Sequence, residues 1–227
     1  SNTPTRTGYT FNKYCAGTAS ASNTTTSNGV DSCSGTTYAK GGTITLDQTK
    51  NTANNTFYLY SMWSIKSNLS LKVSFNSTYV SSVKVCKTTG DCSGTNLMGT
   101  VTTSGSSVSG LTYNTAYYLY PTYTTGSKLS SWAKDSGAVG TLSSTSAANP
   151  TYTIGDGTNA VTHSGKYDTY TITLNRNCST TATGSTSATV TYLASSLSSI
   201  TVPTCSNTTG TRTISDFNLN NYNASGD

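Results

Sequence analysis

The chain has 227 residues and a net charge of +5, but only 9% of its residues are charged, compared with about 25% in an average globular protein. The 13 Lys and Arg never form a run, which argues against nucleic-acid binding, and no segment approaches the roughly 20 apolar residues of a membrane-spanning helix. More than a third of the chain is Ser or Thr, as in disordered stalks, and Glu is absent. The 16 Tyr and repeated apolar alternation nevertheless predict a folded, all-β protein.

Six cysteines fall into three close pairs separated by long gaps. Six cysteines allow many pairings, and the sequence alone cannot choose among them. Loop closure favours near neighbours, so the favoured disulfides are Cys15–Cys33, Cys86–Cys92 and Cys178–Cys205. Zinc would need CxxC-like spacing or histidine partners, and neither is present. Disulfides predict an oxidising, extracellular location.

The first 64 residues alternate like antiparallel strands, with turns at the Gly and Asn pairs between them. The predicted strands are Gly8–Tyr14, Thr43–Leu46 and Thr56–Trp63. We expect the first loop to be closed by Cys15 and Cys33. Because the chain begins at Ser1 rather than Met, we also expect that a leader has been removed.

Three segments of this region carry a family resemblance. They are Pro4-Thr-Arg-Thr-Gly-Tyr-Thr-Phe11, Ser34–Thr43 and Phe57–Trp63. Together they resemble the second half of an internalin-type B repeat, also called a Listeria–Bacteroides repeat. Such repeats are small β-grasp-like modules found in tandem on bacterial surface proteins. Leu59–Trp63 resembles the usual ending "tLYAxW", whereas Asn12–Tyr14 replaces the Gly-Trp that usually follows "GYTF".

The C-terminal region resembles the first half of the same repeat. Tyr170–Asn177 is similar to its first strand, Ser187–Tyr192 to its second, and Leu197–Thr204 leads into the expected Pro-Thr. Thr211–Phe217 resembles a degenerate copy of the "GYTF" element, after which no "LYAxW" strand follows. The resemblance therefore implies one module divided between the two ends of the chain.

The middle of the chain differs from both ends. Period-two alternation and turn residues predict its strands at Ser70–Phe75, Val80–Val85, Leu97–Val101, Ser107–Leu111 and Thr115–Tyr123. Cys86–Cys92 closes a predicted hairpin turn. Leu111–Tyr117 resembles the tyrosine corner of fibronectin type III domains, with Tyr113 in place of Pro. The middle is therefore predicted to be an immunoglobulin-like or fibronectin-like β-sandwich.

The predicted architecture follows from these segments. Small β-grasp-like halves of a B repeat occupy residues 1–64 (second half) and 167–227 (first half). The β-sandwich occupies residues 65–140. Residues 141–166 form a loop-rich connector with short strands around Thr151–Ile154.

Residue types that carry catalysis are sparse. His163, the one histidine, is predicted to be a solvated loop residue, because its sequence neighbours Ser164 and Asp168 do not form a nucleophile–base–acid arrangement. No carboxylate pair suits glycoside chemistry. Asp156–Asn159 hints at a calcium loop, but the other ligands of that pattern are missing and a polar turn is favoured. We therefore expect no enzymatic activity, cofactor or metal.

Two further patterns concern carbohydrate. Five tyrosines alternate with other side chains along predicted strands: Tyr58, Tyr60, Tyr118, Tyr120 and Tyr123. Either each strand buries one face and shows amphipathic tyrosines on the other, or the rings form a row for stacking on sugars. Seven Asn-x-Ser/Thr sequons are candidate N-glycosylation sites: Asn23, Asn54, Asn68, Asn76, Asn177, Asn207 and Asn223. This composition predicts about that many sequons by chance, so their count alone is no evidence.

The split module predicts self-association. We expect an extracellular, cell-surface subunit of a bacterial filament or pilus-like fibre, in which residues 167–222 of one copy complete strands 7–14 and 56–63 of the next. The expected subunit interface comprises Gly8, Tyr9, Phe11, Tyr58, Tyr60, Trp63, Ile172, Leu174, Val190, Tyr192, Ile200 and Phe217. Three alternatives remain: closure of the module within one chain, independent domains in a longer stalk, and a monomeric adhesin or glycan-binding module.

Overall fold

The computed structural model describes residues 4–17, 33, 35–45, 57–90 and 92–173, together with five short strands beyond residue 173. From residue 170 onward only the strand backbone is described. Every regular element in these residues is a β-strand, apart from a single 3-10 turn at Gly94–Asn96. The all-β prediction is therefore confirmed. No helix in this part of the chain is long and apolar enough to cross a membrane.

The N-terminal sheet contains three antiparallel strands in the order β2-β1-β3. They are β1 (Tyr9–Gly17), β2 (Thr37–Tyr38) and β3 (Tyr58–Ile65). Phe11 lies opposite Trp63, and a bulge between Phe11 and Lys13 shifts the register of the remaining pairs. Residues 43–45 form no strand, in contrast to the prediction, and Leu46 lies outside the described residues.

The middle of the chain forms two further sheets. The four-stranded sheet has the order β7-β4-β12-β9 and contains β4 (Leu69–Phe75), β7 (Ser107–Leu111), β9 (Ser127–Lys134) and β12 (Asn159–Tyr167). The five-stranded sheet has the order β10-β11-β8-β5-β6 and contains β5 (Val80–Cys86), β6 (Leu97–Val101), β8 (Ala116–Tyr123), β10 (Thr141–Leu142) and β11 (Thr151–Thr153).

One hydrophobic core joins the two sheets into a sandwich. Alternate side chains of β4 point inward, so that Leu71, Val73 and Phe75 are buried while Ser70 and Lys72 are exposed. The five-stranded sheet contributes buried aliphatic and tyrosine side chains to this core: Val80, Val83, Val85, Val101, Tyr117, Leu119 and Tyr152. Complete burial of one such side chain contributes about 1.5–3 kcal/mol, which is why period-two alternation specifies this fold.

The sandwich extends beyond its predicted boundary at residue 140. The predicted connector, residues 141–166, contains β10, β11 and most of β12. β12 lies inside the four-stranded sheet, where it is parallel to β4 and antiparallel to β9. The short strand predicted near Thr151 is found as β11. β9 and β12 are not predicted, because their Ser, Thr and Gly residues resemble loop composition.

The predicted tyrosine corner has the expected contact. Tyr117 is 2% exposed, and its hydroxyl oxygen accepts a hydrogen bond of 3.0 Å from the N–H of Thr112. A tyrosine corner ties its ring to the backbone a few residues upstream in this way. The assignment to an immunoglobulin-like or fibronectin-like fold stays a prediction.

Two of the three predicted disulfides are present. Cys15 bonds to Cys33 and Cys86 bonds to Cys92, with Cα–Cα distances of 5.8 and 5.4 Å. Both distances are ordinary for disulfides. The third predicted pair involves Cys178, which lies outside the described residues.

The C-terminal strands pair only with one another in the described part of the chain. β13 (Thr169–Thr173) pairs with β15 (Ser187–Thr191), β14 (Ala182–Thr183) with β17 (Thr204–Cys205), and β16 (Ile200–Val202) with β18 (Arg212–Ile214). All three pairs are antiparallel and form separate two-stranded sheets. β13, β15 and β18 each overlap a predicted strand.

Candidate functional site

β3 is an outer strand of the N-terminal sheet as far as the described strands show. β3 pairs with β1 along one side, and no described strand pairs with its other side. Leu59 of this strand is 39% exposed, which is unusual for a large apolar side chain in this structure. Unpaired strand edges are templates for pairing with another chain, and proteins normally protect them. The outer side of β3 around exposed Leu59 is therefore a candidate assembly site.

An aromatic cluster lies on the same sheet. The ring of Phe11 is 4.9 Å from that of Tyr14 and 5.6 Å from that of Trp63, between centroids. Trp63 is buried at 8% exposure, whereas Phe11 and Tyr14 remain half-buried. The sheet thus has an apolar face that this chain covers only in part.

Gly8 lies at a junction with the sandwich rather than on a free surface. Its φ is +78°, and a Cβ at this position would lie 2.1 Å from the ring of Tyr113. Its N–H donates to Oδ2 of Asp156 at 2.6 Å, and its carbonyl accepts the N–H of Lys66 at 2.9 Å. The ring of Tyr9 also contacts Tyr113, at 6.1 Å between centroids. Gly8 and Tyr9, predicted as interface residues, therefore make contacts within one chain.

Lys66 and Asp156 complete this junction. Nζ of Lys66 lies 2.5 Å from Oδ1 of Asp156, and the carbonyl of Lys66 accepts the N–H of Tyr113 at 2.8 Å. The hydrogen bond from Lys66, followed by that from the Gly8 N–H, lowers the pKa of the Asp156 carboxyl. Both carboxylate oxygens of Asp156 are thus engaged by protein donors, and no group of three metal-ligating side chains occurs among the described residues.

The other predicted interface residues are only partly described. Trp63 is buried, and Tyr60 is half-buried. The backbones of Ile172, Val190 and Ile200 lie in β13, β15 and β16. The side chain of Tyr58 is not among those described. Three predicted positions lie outside the described residues altogether: Leu174, Tyr192 and Phe217.

The two terminal regions leave the sandwich at opposite ends. β4 and β12 are parallel neighbours, with Leu71 opposite Asn159 and Phe75 opposite His163. The Lys66–Asp156 junction precedes both strands, so the N-terminal sheet attaches where they begin. β12 ends at Tyr167, whose ring packs against Tyr79 at 5.0 Å in the turn that follows β4. Its nine residues span about 30 Å, and β13 begins beyond that far end.

His163 is buried in β12, contrary to the prediction of a solvated loop residue. It is 1% exposed, and its ring contacts that of Trp132 edge-on at 4.5 Å. Its Nε2 lies 3.1 Å from the hydroxyl of Tyr123. Burial lowers the pKa of His163 to about 4, so the imidazole is neutral at pH 7. These contacts describe a core histidine.

Four of the five alternating tyrosines have described side chains, and these lie in three environments. Tyr118 and Tyr120 lie side by side on the five-stranded sheet, with centroids 6.5 Å apart and an angle of 32° between the rings. The hydroxyl of Tyr120 accepts the N–H of Gly90 at 2.8 Å, from the turn closed by Cys86–Cys92. Tyr123 instead contacts buried His163, and Tyr60 belongs to the N-terminal sheet. Tyr118 and Tyr120 thus form a separate half-buried pair.

Two of the seven sequons are described. Asn68 and Asn76 are both exposed, and Oδ1 of Asn76 accepts the N–H of Thr78 at 2.9 Å. The other five sequon asparagines lie outside the described residues: Asn23, Asn54, Asn177, Asn207 and Asn223.

A scan against protein-family models and searches of curated proteins and of solved structures found no match to this chain. The similarity to a B repeat therefore rests on the sequence segments quoted above. Function has to be inferred from the edges, faces and contacts of the molecule itself.

Proposed function

We propose that this protein is the structural subunit of an extracellular bacterial filament or pilus-like fibre that polymerises head to tail. The observation that carries the proposal is that the N-terminal sheet attaches at one end of the sandwich, whereas β12 leads into β13 at the other end. A contact between unlike ends does not close on itself and therefore produces an open polymer.

Both terminal regions have features that a neighbouring copy would satisfy. In the N-terminal sheet, Leu59 is exposed on the outer strand β3, and the aromatic face is only partly covered. The described C-terminal strands pair only as two-stranded sheets, and such sheets are marginally stable in water without further strands or a packed face. Strand addition between copies would supply main-chain hydrogen bonds to both. The two disulfides and the low charge fit an extracellular location.

The test introduces a charge on the outer side of β3. Leu59→Asp places a carboxylate on the exposed edge strand, where a charge discourages pairing. Thr100→Asp is the matched control, because Thr100 is exposed on β6, the edge strand of a different sheet. Polymerisation is followed by sedimentation and negative-stain imaging of the full chain, and folding by thermal unfolding of the monomer.

We expect wild type and Thr100→Asp to form fibres. Leu59→Asp should remain soluble, with a melting temperature close to that of wild type, because Leu59 is already exposed to solvent in the monomer. A wild-type protein that stays monomeric at high concentration would refute the proposal. Normal fibres from Leu59→Asp would exclude the β3 edge from the contact.

Carbohydrate binding by the sandwich is the second candidate, in the manner of a cell-surface adhesin. It is favoured by the Tyr118–Tyr120 pair, because the bond from Gly90 holds the ring of Tyr120 in place. Tyrosine combines an apolar ring with a polar hydroxyl, as stacking on sugars requires. Retention on immobilised neutral polysaccharides should fall in Tyr118→Ala. Equal retention of wild type and the variant would reject this candidate.

Covalent glycans are a further proposal at the exposed sequons. Asn76 lies in a polar turn, where an acceptor asparagine is accessible. Intact-mass measurement of the native protein, followed by peptide mapping of Asn68 and Asn76, decides this directly. Unmodified peptides at both positions would remove it.

A further inference from the structure

We infer that the outer face of the five-stranded sheet binds a polysaccharide that carries carboxylate groups, and that Lys84 and Tyr120 contact the carboxylate. This inference rests on the carbohydrate-binding candidate above and specifies the chemical class of its ligand. Register, charge and hydrogen-bonding capacity lead to it.

The register of the sheet places Lys84 beside Tyr120 on this face. Val83 and Val85 of β5 are buried in the core, so Lys84 between them points outward. Leu119 of β8 is also buried, so its neighbour Tyr120 points outward too. Lys84 and Tyr120 are directly opposite each other on paired strands. The Cβ atoms of such a pair are about 5 Å apart, so the two side chains belong to one site.

The same face extends over two further strands. Tyr118 lies two residues before Tyr120 on β8, and its ring is tilted by 32° relative to that of Tyr120. Thr151 of β11 is opposite Tyr118, and Thr100 of β6 is opposite Lys84. Neighbouring strands are about 4.8 Å apart, so the four strands from β6 to β11 span about 14 Å. This width suits a short oligosaccharide.

The charge on this face is positive. Lys84 is the only charged residue in the five strands of the sheet. It is half-buried, and no carboxylate in the described part of the chain pairs with it. Lys87 is exposed in the turn that follows β5, and Asp91 of the same turn lies outside the described residues. A half-buried ammonium group without a partner favours a ligand of negative charge.

The polar groups at the centre of the site are hydrogen-bond donors. The hydroxyl oxygen of Tyr120 accepts the N–H of Gly90, and no described group accepts the O–H of Tyr120 in turn. The ammonium group of Lys84 can only donate. A carboxylate can only accept, so it matches both groups, whereas a neutral sugar hydroxyl both donates and accepts. The adjacent ring of Tyr118 supplies apolar surface for stacking on the sugar.

A disulfide holds the Tyr120 hydroxyl in place. Gly90 lies in the turn that Cys86 and Cys92 close, so the position of its N–H is restricted. A donor that is positioned before the ligand binds loses little conformational entropy on binding. The site is therefore preorganised on the side of Tyr120.

Binding of two matched oligosaccharides tests the inference. The full chain, in dilute solution, is titrated calorimetrically with a short oligogalacturonate, which has a carboxylate on every sugar, and with its uncharged methyl ester. Lys84→Met removes the ammonium group and keeps the length of the side chain. Lys72→Met is the matched control, because Lys72 is exposed on β4 of the other sheet and its loss changes the net charge equally. Tyr120→Phe removes the O–H donor and keeps the ring.

We expect wild type and Lys72→Met to bind the acid more tightly than the ester. Lys84→Met should bind the acid about fivefold more weakly than wild type, as for one partly exposed charge pair, and should bind the ester as wild type does. Tyr120→Phe should lower the ratio of acid to ester affinity, which a merely structural change would leave unaltered. Added salt should weaken binding of the acid more in wild type than in Lys84→Met. Thermal unfolding of each variant checks that it is folded.

The other outcomes contradict the inference in distinguishable ways. Equal losses in Lys84→Met and Lys72→Met would mean attraction by net charge alone and overturn it. Equal affinity of wild type for acid and ester, or retention on neutral polysaccharides without binding of oligogalacturonate, would overturn it while the carbohydrate-binding candidate stands. Tighter binding of a sulfated oligosaccharide would overturn the assignment to carboxylates. Wild type that binds neither oligosaccharide and is not retained on neutral polysaccharides would overturn both.

Discussion

Acidification should destabilise the sandwich through His163. This side chain is 1% exposed, and burial lowers its pKa from an ordinary value near 6.5 to about 4. Above pH 6.5 the imidazole is neutral in both the folded and the unfolded chain, so its titration does not change the free energy of unfolding there. Between pH 6.5 and 4 the unfolded chain binds a proton that the folded chain excludes. The free energy of unfolding therefore falls as the pH falls through this window.

The magnitude follows from the two pKa values. Each unit of difference corresponds to about 1.4 kcal/mol, so the free energy of unfolding should fall by about 2 kcal/mol at pH 5 and about 3 kcal/mol at pH 4. A small domain has a total stability of about 5–15 kcal/mol, so this loss is a substantial fraction of it.

Urea unfolding of dilute monomer measures this loss. Fluorescence of Trp132, which contacts His163 in the core, should report the transition. His163→Phe is the control, because it fills the site with a ring that does not titrate, while the carboxyl groups still titrate in both proteins. Wild type should lose about 3 kcal/mol more than His163→Phe between pH 7 and 4. An equal pH dependence of the two proteins would refute the reasoning.

The junction supports two more predictions. Gly8→Ala should lower the melting temperature strongly, because the new Cβ would lie 2.1 Å from the ring of Tyr113. Gly41 is the control, because it has a similar φ of +75° but open space around it, so Gly41→Ala should lower the free energy of unfolding by only about 1 kcal/mol. Similar melting temperatures of the two variants would contradict the close packing. Asp156→Asn should lower the free energy of unfolding by about 1 kcal/mol at pH 7, because its partner Lys66 is partly exposed. The pKa of Asp156 is lowered in the folded state, so wild type should lose this advantage as the pH falls below about 4, and a difference independent of pH would argue against the ion pair.

Local sequence patterns predict those features of the fold that depend on residues close together in the sequence. The alternation of Ser70–Phe75 predicts β4 because one face of that strand is buried in an apolar core. The pairing of Cys86 with Cys92 follows from the short loop between them, and the pairing of Cys15 with Cys33 from a somewhat longer one. Each of these signals is contained within about twenty residues.

The features that local patterns do not predict depend on contacts between residues far apart in the sequence. β12 is a strand because β4 and β9 flank it, although its Ser, Thr and Gly content is that of a loop. His163 is buried for the same reason. Gly8 belongs to a recognisable motif, but its contact with Tyr113 depends on a residue more than a hundred positions away. The spacing of apolar residues along the sequence cannot predict such a contact.

The parallel pairing of β4 with β12 has a mechanical consequence. In the proposed fibre, tension would pull β4 towards the N-terminal junction and β12 towards the opposite end. The hydrogen bonds between these two strands then bear the load in shear, all at once, whereas strands pulled apart from one end would break them one by one. Each subunit would therefore resist extension most strongly at the two strands through which the force passes.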